Sequence, residues 1–95
     1  MAIKTFAHKG AEQVFLTGRS SRIGPEFRKR MSLMLDAIDG ATDVADLRGI
    51  RGFHVLHGPR AGTFAMSVSG NRRLTFRFEH GTTGDVLDVD FEDYH

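Results

Sequence analysis

Ninety-five residues, with 13 Lys+Arg against 12 Asp+Glu, 26% charged and 40% hydrophobic, describe one folded domain over 1–95 and leave no room for a second. The absence of cysteine excludes disulfides, thiolate zinc sites and cysteine nucleophiles. No stretch approaches the ~20 apolar residues of a membrane span, and the opening MAIKTFAHKG is charged where a signal peptide is apolar, so a cytoplasmic, bacterial-type protein is expected.

Residues 2–7 read as a short first strand, with Ile3 and Phe6 as its larger apolar residues. Residues 8–17 read as a helix whose Ala11, Val14 and Phe15 share one face, closed by Gly18. Gly24-Pro25-Glu26 opens a second helix, since proline suits the first turn and Glu26 complements the helix dipole. Along it Phe27, Met31, Met34, Leu35 and Ile38 form one apolar stripe that ends at Gly40. Thr42 is expected to cap a short turn through Leu47 that buries Val44 and Leu47.

From Gly52 the apolar period changes to two. Strands are expected over 53–57, 63–69, 72–78 and 85–91, with a loop at 58–62, a tight turn at Gly70-Asn71 and another turn at 81–84. Inward residues would be Phe64, Met66 and Val68, then Leu74, Phe76 and Phe78, then Leu87, Val89 and Phe91. Arg73, Thr75 and Arg77 fall on the opposite face of their strand, and Val86, Asp88 and Asp90 point outward on the last. Helices followed by an antiparallel meander give an α+β fold, one sheet face covered by helices and the other carrying Arg73 and Arg77.

The balanced net charge of +1 conceals segregated blocks. Residues 19–30 carry Arg19, Arg22, Arg28, Lys29 and Arg30 against Glu26 alone, and 31–46 carry Asp36, Asp39, Asp43 and Asp46 with no base. Residues 47–78 carry six arginines and no acid, and 79–95 carry six acids with no Lys or Arg. Pairing of these blocks across antiparallel neighbours is one reading. The other is a nucleic-acid surface, because ten of the thirteen bases are arginine, whose planar fork matches phosphate oxygens.

No metal or other cofactor is expected. His54 and His57 sit three apart on a predicted strand and so point to opposite faces, and the chain holds no HExxH, no phosphate-binding G-x-x-x-x-G-K loop and no nucleophile elbow. RNA cleavage needs less, because the 2′-hydroxyl is the nucleophile and the protein only moves protons and stabilises charge. An arginine-bearing sheet face with His54 beside it and Tyr94-His95 after it fits that demand.

Four stretches carry a family resemblance. The opening I-K-T-F-A-H-K-G, the run His54-Val55-Leu56-His57-Gly58-Pro59-Arg60-Ala61-Gly62, the run Ser67-Val68-Ser69-Gly70-Asn71-Arg72-Arg73-Leu74-Thr75-Phe76 and the ending Glu92-Asp93-Tyr94-His95 resemble, in order and spacing, the HigB branch of the RelE superfamily. These are the plasmid-maintenance killer toxins of type II toxin–antitoxin systems. The resemblance implies a RelE-like microbial RNase fold, with an N-terminal strand and two to three helices packed on a mainly antiparallel sheet. It implies an endoribonuclease, an mRNA interferase that enters the A site of the 70S ribosome and cuts mRNA there without metal, inhibiting translation. It also implies a HigA-like helix-turn-helix antitoxin, in a complex pairing two toxins with an antitoxin dimer.

Carried over by position, His54, Arg73, Asp93, Tyr94 and His95 would be the catalytic set. His57, Arg60, Arg72 and Arg77, with the helix bases Arg28, Lys29 and Arg30 and with Arg19 and Arg22 before them, would bind RNA. The chain departs from the family pattern where its lysine is His57, its aspartate Pro59, and its tryptophans Phe64 and Arg72. Those departures supply the rival expectation, a RelE-like regulatory subunit that binds nucleic acid without cutting it. A third is an interaction module whose charge blocks only pair with each other.

Overall fold

The change of period at Gly52 divides the fold as it divides the sequence. The computed structural model describes residues 2–93, with helices α1 (Lys9–Thr17) and α2 (Pro25–Gly40) before strands β1 (Phe53–Val55), β2 (Phe64–Ser67), β3 (Arg72–Phe78) and β4 (Val86–Asp93). The four strands pair antiparallel in chain order, β1-β2-β3-β4, giving an α+β layer arrangement. No helix among the described residues is long and apolar enough to cross a membrane.

The helices begin and end where local chemistry directs. His8 caps α1, its Nδ1 accepting from the Ala11 N–H at 3.1 Å, and Gly18 closes the helix in the left-handed region. Pro25 opens α2 behind Gly24. Met31, Met34, Leu35 and Ile38 are buried and Phe27 is half-buried, its ring 5.7 Å from that of Phe91 on β4. The expected stripe therefore faces the sheet, and each fully buried aliphatic chain on it contributes about 1.5–3 kcal/mol. Phe64, Met66, Val68, Leu74, Phe76 and Phe78 complete the core, as alternation predicts.

Four details depart from the sequence expectations. Residues 2–7 make no regular strand. They run parallel to β4 through two isolated bridges, Ile3 to Val86 and Phe6 to Val89, because the Asp88 backbone between them turns to a φ of 56°. That turn is a bulge: Thr75 pairs with Asp90 and Arg77 with Leu87, so β4 has one more residue than β3 over the interval. The bulge flips side-chain parity upstream of it, so Val86 is buried and Leu87 only half-buried, the reverse of the expectation. The first strand of the meander ends at Val55 rather than at residue 57, because His57 instead precedes a 3₁₀ turn at Gly58–Arg60. Finally, Asp43 rather than Thr42 caps the turn Val44–Asp46, with Asp46 reaching back in a reciprocal capping box.

Candidate active site

The sheet face away from the helices is assembled by strand register. His54, Ala65, Thr75 and Asp90 form one cross-strand row, and Ser67, Arg73 and Glu92 form the next. His54 is exposed and lies two strand spacings, roughly 10 Å, from Thr75. Over this face passes the loop after β1. Gly58 adopts a φ of 66°, which a side-chain-bearing residue rarely does, and starts the 3₁₀ turn that carries Arg60 toward β4. Arg60 then grips Glu92 through a fork, Nη1 to Oε1 at 2.7 Å and Nη2 to Oε2 at 2.6 Å.

Glu92 is the hub of the face. Besides Arg60 it accepts from the Thr75 hydroxyl at 2.8 Å, and Arg73 Nη2 lies 3.6 Å from Oε1. The hydrogen bonds from Arg60 hold its carboxyl down to about 2, helped by Thr75 and by the positive charges of Arg60 and Arg73, against the opposing effect of burial. A cleft of about 200 Å³ opens here, lined by Arg60, Thr63, Thr75, Arg77, Asp90 and Glu92 among others. Arg77 closes one side through its Nε bond to Asp88 at 2.6 Å.

This face differs from the basic surface expected of it. Arg60, Arg73 and Arg77 are matched by Glu92 and Asp88, because the outward residues of β4 fall directly beside those of β3. The pairing of the fourth charge block with the third is thus real. The pairs are partly exposed and individually weak, and the Arg60 fork to Glu92 leaves its remaining N–H donors for another oxygen.

The candidate residues divide as follows. His54 and Arg73 share the open face, with Arg60 and Arg77. Asp93 lies on the opposite parity, its Oδ1 3.2 Å from Arg72 Nε, and the Arg72 guanidinium sits 5.6 Å from the ring centres of both Phe27 and Phe91. Arg72 therefore occupies an aromatic niche at the end of the sheet. His57 is exposed at the head of the 3₁₀ turn. Arg19, Arg22, Lys29 and Arg30 are exposed on the helical side, while Arg28 is half-buried and donates to the Ser20 carbonyl at 3.2 Å. Tyr94 and His95 lie outside the described residues.

Glu92 is the residue that sequence reasoning passed over. Its signal was present, since outward alternation from Asp88 through Asp90 lands on it, opposite Arg73. Among the described residues no group of three or more His, Asp or Glu side chains could hold a metal ion.

Over residues 4–95 the chain matches the HigB-like toxin family, described as the RelE-like toxin of type II toxin-antitoxin system HigB. It is 38% identical over 94 residues to the endoribonuclease HigB of Proteus vulgaris, a match covering 98% of this chain and 99% of that protein. Fold, motifs and likeness agree: the chain belongs to the HigB-like family of RelE-like toxins, an endoribonuclease that forms the toxin half of a type II toxin–antitoxin pair.

Proposed function

We propose that this endoribonuclease cuts mRNA in the ribosomal A site by metal-free acid–base chemistry, with the message lying across the open sheet face. The observation that carries the reading is the meeting of Arg60 and Arg77 on one cleft whose Glu92 also lies beside Arg73, with Arg73 and Arg77 in strand rows on either side of that of His54. Arg73 is the natural phosphate ligand: its side chain is only 18% exposed, so an ion pair there is poorly screened. Glu92 holds Arg60 and orients Arg73 while leaving donors of the fork for phosphate oxygens.

In the reaction, a base takes the proton of the 2′-hydroxyl and the 2′-oxygen attacks the adjacent phosphorus. The bond from phosphorus to the 5′-oxygen breaks, an acid protonates that oxygen, and the products are a 2′,3′-cyclic phosphate and a 5′-hydroxyl. His54 and His95 are the groups suited to these two proton transfers near neutral pH. Asp93 orients a histidine, and Tyr94 stacks on a base, since a phenol with a reference pKa near ~10 is a poor base at neutral pH. Around this centre His57 and Arg72 add contacts to RNA. Arg19, Arg22, Arg28, Lys29 and Arg30 face ribosomal RNA.

The protein acts in the cytoplasm, and its antitoxin is a HigA-like helix-turn-helix protein that binds as a dimer between two toxins. The test is cleavage of mRNA on translating ribosomes, with the ends of the fragments identified chemically. Cyclic phosphate and 5′-hydroxyl ends, formed with ribosomes and lost with Arg73→Gln, are expected. Cleavage of equal rate on free and ribosome-bound message would remove the ribosome from the reading.

A further inference from the structure

The four sheet arginines all lie beside carboxylates, but a second arginine-lined recess has none. Beside the start of β1, the end of β2 and the turn after it leave a notch of about 440 Å³, lined by Arg30, Arg51, Ser67, Val68, Ser69 and Gly70. No acid lines it. Arg30 comes from α2 and Arg51 from the segment entering β1, both are exposed, and neither has an ion-pair partner among the described residues.

The notch is built rather than accidental. Arg51 is brought close to β2 by its neighbour Gly52, whose carbonyl accepts from the Ser67 N–H at 3.0 Å. Gly52 holds a φ of 90°, and a Cβ there would come within 3.2 Å of the Ser67 Cβ, so only glycine lets the chain pass this near. Arg30 is fixed from the other side, because the next residue of α2, Met31, is fully buried. Two like charges held beside one recess repel each other, and an anion between them reverses that cost.

Position identifies the anion. Ser67 on the notch wall is the direct register partner of Arg73, one strand spacing or about 4.8 Å away. We propose that the notch of Arg30, Arg51 and the β2–β3 turn binds a backbone phosphate of the mRNA that flanks the scissile phosphate on Arg73. This rests on the proposed placement of the message over the sheet, adds Arg51 to the binding surface, and assigns Arg30 to the message rather than to ribosomal RNA. The guanidinium forks suit a phosphodiester, and continuity with the Arg73 row favours RNA over an acidic protein segment.

The experiment uses the full chain and 70S ribosomes programmed with a short synthetic mRNA whose scissile nucleotide is 2′-deoxy, so that it binds without being cut. A set of messages each carries one uncharged methylphosphonate linkage near that nucleotide. For the parent protein, one linkage should weaken binding about tenfold when neutralised, the worth of a charge-assisted contact. For R30Q/R51Q, with unchanged melting temperature, binding to the fully charged message should already be weaker by that factor, and the same methylphosphonate should cost nothing more. The salt dependence of that binding should be shallower by about 0.7 in logarithmic slope, one single-strand phosphate.

Additive losses at every linkage would overturn the proposal. So would a double variant that binds message normally but binds the antitoxin poorly, which would give the notch to a protein segment. Arg73→Gln is measured in parallel on a cleavable message. If it cuts at the parent rate, the placement over the sheet is wrong. If it is impaired while R30Q/R51Q binds message normally, the notch alone is wrong.

Discussion

Over the sheet, Arg60, Arg72, Arg73 and Arg77 each lie against a carboxylate of β4, whereas on the helical side Arg19 and Arg22, between the helices, and Lys29 on α2 have no ion-pair partner among the described residues. The two regions carry similar numbers of bases and use them differently. A paired guanidinium is oriented before any substrate arrives, and its own field is largely cancelled beyond a few ångströms. An exposed unpaired base projects its field over a Debye length, roughly 8–10 Å at physiological salt, but holds no fixed geometry. The sheet face is therefore suited to positioning a phosphate and the helical side to capturing a large polyanion.

The largest expected effects fall on the rate and come from the sheet face and the residues that follow β4. Deleting Tyr94 and His95 leaves every described core residue in place, so melting and ribosome binding should hardly change, while cleavage falls by ~10²–10⁴ as a proton-transfer group is lost. Arg73→Gln should lower cleavage by ~10²–10³ through loss of charge stabilisation, again with ribosome binding retained. Rate constants and ribosome affinities measured on the same variants check both. If either change weakened binding as much as cleavage, the division between positioning and capture would collapse.

Glu92→Gln acts on the stability of the paired region. The carboxyl titrates at about 2 in the folded protein against an ordinary 4.5, so its contribution is complete above pH 4.5 and is lost as pH falls from there through 2. At neutral pH the variant should be less stable by on the order of 2 kcal/mol, the worth of charged hydrogen bonds in a partly buried cluster. At pH 2 the two proteins should converge. Denaturant melts at several pH values decide it. A constant difference between pH 7 and pH 2 would show that the hub does not depend on the charge of Glu92.

The helical side should respond to salt instead. Replacing Arg19, Arg22 and Lys29 one at a time by Gln should weaken ribosome binding a few-fold each and flatten its salt dependence, by up to ~0.9 in logarithmic slope per phosphate contact. The cleavage position should stay where it is. Arg28 is the exception within this set: it is half-buried against the Ser20 carbonyl, so its loss should also loosen the junction between α1 and α2.

Much of this comparison was legible in the sequence. The apolar stripe of α2, the inward alternation of β2 and β3, and the Arg73, Thr75 and Arg77 face all follow from spacing, because buried elements repeat the period of their backbone. The neutralisation of that face depended on register, which spacing within one strand does not contain. Asp90 and Glu92 had to fall beside Thr75 and Arg73, and a single extra residue would have turned them to the helices. The bulge at Asp88 is that extra residue, and it lies just upstream. It turned Val86 inward, against the alternation read from Leu87, Val89 and Phe91, and left Asp90 outward as expected, with Glu92 on the same face beyond it. Arg60 was placed by a loop turn at Gly58, and its grip on Glu92, 32 residues away, had no local signal.

The smallest effect tests that bulge. Asp88 is the one non-glycine residue with positive φ among the described residues, its N–H donates to the Thr5 hydroxyl at 2.7 Å, and its carboxylate pairs with Arg77 across a solvent-exposed gap. Asp and Asn both tolerate the left-handed region, where a short polar side chain compensates locally, while alanine lacks that compensation. Asp88→Asn keeps the backbone and removes only the charge, so it should cost less than about 1 kcal/mol, as an exposed ion pair does. Asp88→Ala loses the pair and also strains the bulge, which adds roughly another 1 kcal/mol. Melting of the two variants separates backbone from charge. If Asn cost as much as Ala, the Arg77 pair would be what holds the bulge, and β3's arginines would fix β4's register rather than merely meet it. If both were silent, residues 2–7 would hold the bulge without help from either, through the hydrogen bonds that Ala7 and Thr5 make to Val89.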